Sequence, residues 1–113
     1  MDQTTTLAEI KELIADFIAE RQWEKYHNSK SLAMSIAIEA AELMEHFQWA
    51  ENQADRQLLQ DPVRKAEVGE ELAEILVYCI SFALQADLDL SEIIRAKMEK
   101  NQRRFPPGAV LGF

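Results

Sequence analysis

Cysteine is almost absent from this 113-residue chain: Cys79 stands alone, so no disulfide within the chain can staple the fold. That usage fits a reducing cytoplasm, and Cys79 reads as a small core residue rather than a nucleophile. Glycine and proline are scarce too, with three of each, and two of the prolines stand together at Pro106–Pro107. So few turn-formers, with no alternating apolar and polar stretches, exclude an all-β domain. Long apolar runs are missing as well. The longest is interrupted by Glu74 and Gln85 and is too short to span a bilayer. No basic segment followed by an apolar stretch opens the chain, so no secretory leader is expected. Basic residues are outnumbered, 12 against 20 acidic ones for a net charge of −8. That balance excludes a grip on long nucleic acid through its phosphates. It leaves room for a small polyphosphate if cations bridge it to carboxylates.

What is present reads as one all-α domain over residues 1–113, with a core at about 7–106 and a short tail at 107–113. Thr6 and Glu9 form a capping box ahead of LAEIKELIADFIAERQW, where Leu7, Ile10, Ile14, Phe17 and Ile18 recur at helical spacing. A second helix is expected from Ser29–Ser31 through Trp49. A third is expected from Pro62, capped by Asp61, to about Ala86. The fourth follows Asp89 and stops at Pro106. Residues 51–60 are polar and read as a loop with some helical character. The third helix carries its main stripe at Val68, Leu72, Ile75, Leu76, Cys79 and Ala83, with Val77 and Ile80 on the remaining surface. A helix apolar on most sides is buried centrally or in a subunit interface. Four short helices can hardly cover it, so a homo-oligomeric bundle is expected.

Two carboxylate pairs share one spacing, Glu39/Glu42 and Glu71/Glu74, and each puts two carboxylates on one helix face. Glu39 borders the apolar stripe of Leu32, Ile36, Ala40, Leu43 and Phe47. Glu74 is the only charge between Leu72 and Ala86, and a carboxylate buried there must be protonated, paired or cation-bound. No Lys or Arg follows at i+4 to neutralise either pair, since those positions hold Leu43, His46, Ile75 and Tyr78. Four such carboxylates suit a hard divalent ion, Mg²⁺ or Mn²⁺, rather than zinc. A di-iron bundle needs Glu-x-x-His on two core helices, whereas His46 stands four residues after Glu42 and His27 lies in a turn. The competing reading is a solvated acidic face on a helical oligomerisation module.

ERQWEKYH, SIAIEAAELMEHFQW, EELAEILVY and KMEKNQRRFP, in that order, make the chain resemble the MazG-like nucleoside triphosphate pyrophosphohydrolases. The similarity is greatest to their short dCTP pyrophosphatase branch. The resemblance implies an all-α, four-helix MazG-like bundle, a tetramer built as a dimer of dimers, and hydrolysis of a (deoxy)nucleoside triphosphate to monophosphate and pyrophosphate. It implies metal ligation by Glu39, Glu42, Glu71 and Glu74, the last standing where the family usually has Asp. Ile38 stands where the broader family often has Glu, and Ile14 where some dCTP-type members have His. Trp23 and His27 of the W-x-x-x-H element, Trp49 of F-Q-W, and Tyr78 are implied around the nucleotide. The alternative for both tryptophans is packing at helix ends.

Candidates for phosphate or sugar contact are Lys30, Lys97, Asn101 and Arg104, the last three at i, i+4 and i+7. The wider basic cluster of Arg95, Lys97, Lys100, Arg103 and Arg104 serves equally to complement the helix dipole. The expected chemistry is attack of a metal-activated water at the α-phosphorus, with Glu42 as general base. The alternative within enzymology is a house-cleaning pyrophosphatase for other, non-canonical nucleotides.

Overall fold

The computed structural model describes residues 1–50 and 57–108, and these form four long helices: α1 (Leu7–Glu20), α2 (Ser29–Glu45), α3 (Pro62–Gln85) and α4 (Leu90–Arg104). A 3₁₀ turn, Glu24–Tyr26, links α1 to α2, and residues 57–60 are helical. No described residue lies in a strand. Each long helix starts on a side-chain cap. Thr6 accepts from the Glu9 N–H, Asn28 from Ser31, Asp61 from Val63 and Asp89 from Glu92, all at 2.8–3.1 Å. Each cap satisfies a donor the helix cannot, worth about 1 kcal/mol.

Helix α1 stops three residues before Trp23, and a Schellman turn is the reason. Gln22 takes φ 55°, its N–H reaches the Ala19 carbonyl, and the Trp23 N–H reaches the Ile18 carbonyl. Helix α3 ends the same way, with Asp87 at φ 54° and the Leu88 N–H on the Ala83 carbonyl. Glycine is the usual residue at this left-handed position, and this chain uses Gln and Asp instead. Helix α2 also ends early, at Glu45. His46 and Phe47 bond back three residues to Leu43 and Met44, turning the chain through residues 46–49.

Helix α3 is the packing hub, lying along α2 and, less extensively, α1. Helices α2 and α3 run antiparallel. The Ser29 hydroxyl donates to Gln85 Oε1 at 2.7 Å near one end, and Glu42 meets Glu71 farther along. Ile14 and Ile18 from α1 and Ile80 from α3 form the core cluster, with Ile10, Leu84 and Leu90 packed against it. Leu32 and Ala83 are also buried. Helix α4 is tied in by Leu90 and by the Lys11 ammonium on the Leu88 carbonyl.

The buried face of α3 differs from the expected stripe. Ile80, Ser81 and Ala83 are buried, whereas Leu72 and Leu76 are half exposed. Periodicity marks α3 as apolar on most sides but not which side its neighbours cover. Here α1 covers the Ile80 side through Ile14 and Ile18, and α2 lies along the side that carries Glu71 and Gln85. The chain as a whole is open: its radius of gyration is 16.8 Å, where a compact chain of this length has about 13 Å. It exposes 9358 Å², against about 6,300 Å² for a compact monomer of its 13.0 kDa.

Candidate active site

Antiparallel pairing of α2 with α3 sets Glu39 and Glu42 opposite Glu71. One carboxylate oxygen from each lies within 4.8 Å of the others, and all three residues are half-buried. Three like charges this close cannot all persist without a cation or a proton. Accordingly the Glu39 carboxyl is pushed from 4.5 up to about 7, by burial first and then by hydrogen bonding to, and the charge of, Glu42 and Glu71. All-oxygen donors converging from two packed helices fit a hard divalent ion.

Glu74 does not join this cluster. One turn farther along α3, it is exposed and lines a largely apolar cavity of about 460 Å³ with Leu13, Phe17, Trp23, His27, Val77 and Tyr78 among others. The apolar sequence around Glu74 therefore does not bury it: Leu72 and Leu76 are themselves half exposed, and Val77 and Tyr78 share its open cavity. Burial pushes the Tyr78 hydroxyl pKa up, and the charges of Glu74 and Glu39 push it the same way. Tyr78 is thus the electrostatic link between the cavity and the carboxylates.

The Schellman turn that ends α1 aims Trp23 back at its own helix. Its ring meets Phe17 edge-on, with centroids 5.6 Å apart and planes at 76°. The Arg21 guanidinium covers Phe17 at 3.7 Å and donates to the Phe17 carbonyl. Leu13 and Phe17 line the cavity while remaining exposed, at 68 % and 46 %. This is an apolar, aromatic-walled recess with a few polar groups at its rim, the general form of a small-molecule site.

The MazG-like family profile matches residues 34–108, which include α3, α4 and every carboxylate of both pairs. The chain belongs to the MazG-like family. It is 37 % identical to dCTP pyrophosphatase 1 of Bos taurus over 101 residues, which are 89 % of this chain and 60 % of that protein. The figure for dCTP pyrophosphatase 1 of Homo sapiens is 36 % over 101 residues, covering 89 % and 59 %. The chain thus spans about three-fifths of the length of these relatives. Among solved structures it is similar to a pyrophosphatase from Archaeoglobus fulgidus DSM 4304. That match has a TM-score of 0.83 at 40 % identity and covers 88 % of this chain and 92 % of that one.

Other expected site residues of this MazG-like chain lie apart from the carboxylates. Trp49 is 90 % exposed and lines a different cavity, of about 470 Å³, with Glu45, His46, Asp61 and Arg64. Lys30, Lys97 and Arg104 are exposed, and none of them lines either cavity or belongs to the carboxylate cluster. Asn101 is half-buried and donates to the Met98 sulfur at 3.6 Å. Sequence reading missed Leu13 and Arg64. Leu13 is four residues before Phe17, and that spacing widens the apolar face of α1 beyond what a core stripe needs. Arg64 is two heptads before Tyr78 on α3, a register visible only once Tyr78 is given a role.

Proposed function

We propose that this chain is a Mg²⁺-dependent nucleoside triphosphate pyrophosphohydrolase that favours dCTP or a modified dCTP. The observation carrying this reading is the convergence of Glu39, Glu42 and Glu71 beside an aromatic-walled cavity, in a chain similar to dCTP pyrophosphatase 1. Water would attack the α-phosphorus, forming a new P–O bond as the bridging P–O bond to the β-phosphate breaks and pyrophosphate leaves. Glu39, Glu42 and Glu71 would hold the ion, with Glu74 as a fourth ligand from the cavity side. Once bound, the ion neutralises phosphate charge and lowers the pKa of bound water.

Glu42 is assigned the proton of the attacking water. The base would enter the cavity walled by Phe17, Trp23 and Tyr78, where aromatic stacking contributes about 1–3 kcal/mol, with His27 at its edge. Trp49, Lys30, Lys97, Asn101 and Arg104 remain candidate substrate contacts in this reading. Incubation with dCTP, methylated dCTP, dUTP, dATP and inosine triphosphate should release pyrophosphate with Mg²⁺ and none with chelator. Release from dCTP and its methylated form should be fastest. A preference for inosine triphosphate would instead favour the house-cleaning alternative. Absence of release from every nucleotide would leave a non-catalytic helical module.

The active form would be a homotetramer in the cytoplasm, built as a dimer of dimers around a single domain per chain. Its support is the open chain and the apolar side chains on its surface, among them Met34, Ile38, Leu72 and Leu76. No described helix is long and apolar enough to cross a membrane. Sedimentation equilibrium should give about 52 kDa, four times the 13.0 kDa chain, and a 13.0 kDa species would overturn the assembly.

A further inference from the structure

Arg64 shares a cavity of about 350 Å³ with Glu42, Glu45, His46 and Glu71, on the side of the carboxylates away from Tyr78. It also lines the neighbouring cavity of Trp49 and Asp61. On α3, Arg64, Glu71 and Tyr78 are spaced by seven residues, so they lie nearly in line, drifting about 20° per step. Each step covers about 10 Å of helix. One line along the helix thus carries, in order, the aromatic cavity, the carboxylate cluster and a guanidinium. A nucleotide has the same order: base and sugar, α-phosphate, then the terminal diphosphate.

We propose that Arg64 binds the β- and γ-phosphates of the substrate and then the pyrophosphate they become. This rests on the pyrophosphohydrolase reading above, and it names the group that receives the leaving end. Guanidinium suits the task, because its planar fork gives two parallel donors to phosphate oxygens. Its ion pair in the structure is loose: Arg64 stands 4.0 Å from Glu67, and both side chains are about half exposed. Exposed pairs of that kind contribute little and are readily exchanged for a better partner. The cavity itself holds three carboxylates, Glu42, Glu45 and Glu71, beside Arg64 and His46. Pyrophosphate is therefore repelled until a divalent ion offsets the carboxylates, and Arg64 grips it only as the metal complex.

The test compares wild type with Arg64→Gln and Arg64→Lys, using Mg²⁺-pyrophosphate and dCMP as separate inhibitors of dCTP hydrolysis. In Arg64→Gln the inhibition constant for pyrophosphate should rise roughly 10–100-fold, the loss of a charge-assisted hydrogen bond or two. The constant for dCMP should stay unchanged, and Arg64→Lys should recover part of the loss. An unchanged pyrophosphate constant, or equal shifts for both inhibitors, would overturn the assignment. Should wild type hydrolyse no nucleotide, the pyrophosphohydrolase reading falls by itself. Calorimetric titration of Mg²⁺-pyrophosphate into wild type and Arg64→Gln then decides Arg64: tighter binding by wild type supports it, and equal or absent binding overturns it.

Discussion

Glu71→Gln is expected to cut pyrophosphate release by roughly 100-fold or more, while the metal-free variant melts no lower than wild type. Gln keeps the volume and one acceptor oxygen but loses the charge that would bind the proposed ion. Glu71 is the α3 member of the three-carboxylate cluster, so an ion shared with Glu39 and Glu42 would bridge the two helices through it. Without an ion its charge is a liability, because it repels Glu39 and Glu42 across a half-buried contact. Removing that charge relieves repulsion in the apo protein and removes a ligand from the holo protein. The two effects have opposite signs, as expected where a site is built at the expense of stability. Circular dichroism melts with and without Mg²⁺, beside a coupled pyrophosphate assay, separate them. Activity within a few-fold of wild type would remove Glu71 from the metal site.

Much of the fold was legible because its signals are local. Thr6, Asp61 and Asp89 act as caps because a side-chain acceptor beside a helix start has one obvious use, and Pro62 confirms the start of α3. The Glu39–Glu42–Glu71 cluster was legible for a related reason. Helical spacing fixes the face of each carboxylate, and two faces that both lack neutralising cations tend to meet across an ion.

What escaped the sequence depends on neighbours. Glu74 shares the spacing of the other pair and has the more apolar surroundings, yet it opens onto a cavity, because α1 and α3 leave a recess between Leu13 and Phe17 on one helix and Glu74 and Tyr78 on the other. Leu72 and Leu76 fit the core period but are left half exposed. The early end of α1 was hidden because its Schellman turn is built on Gln22 rather than glycine. Arg64 carries no signal of its own in the sequence, because it stands beside Lys65 on α3 and its line with Glu71 and Tyr78 shows only once those two residues have roles.

Acidity should act on this protein in two opposite ways, both through the proton held at Glu39. In the folded, metal-free chain that carboxyl titrates at about 7, against an ordinary value of 4.5. Between those values the folded state binds more proton than the unfolded state. The stability this contributes is fully present below about 4.5, falls as pH rises toward 7, and is gone above it. The apo melting temperature should therefore decline through that window and then level. Mg²⁺ bound as proposed would need the carboxylate and so would expel the proton, and its affinity should climb over the same window and level above about 7. The stabilisation by saturating Mg²⁺ should accordingly grow as the apo protein weakens, and the acid limb of the rate profile should end where the apo melt stops falling. Glu39→Gln tests the common origin, since it should flatten the apo melt across this window and abolish the Mg²⁺ response. An apo protein that gains stability from about pH 5 to 7 would mean that Glu39 is already ionised in the folded chain. Something other than a proton would then hold the three carboxylates together.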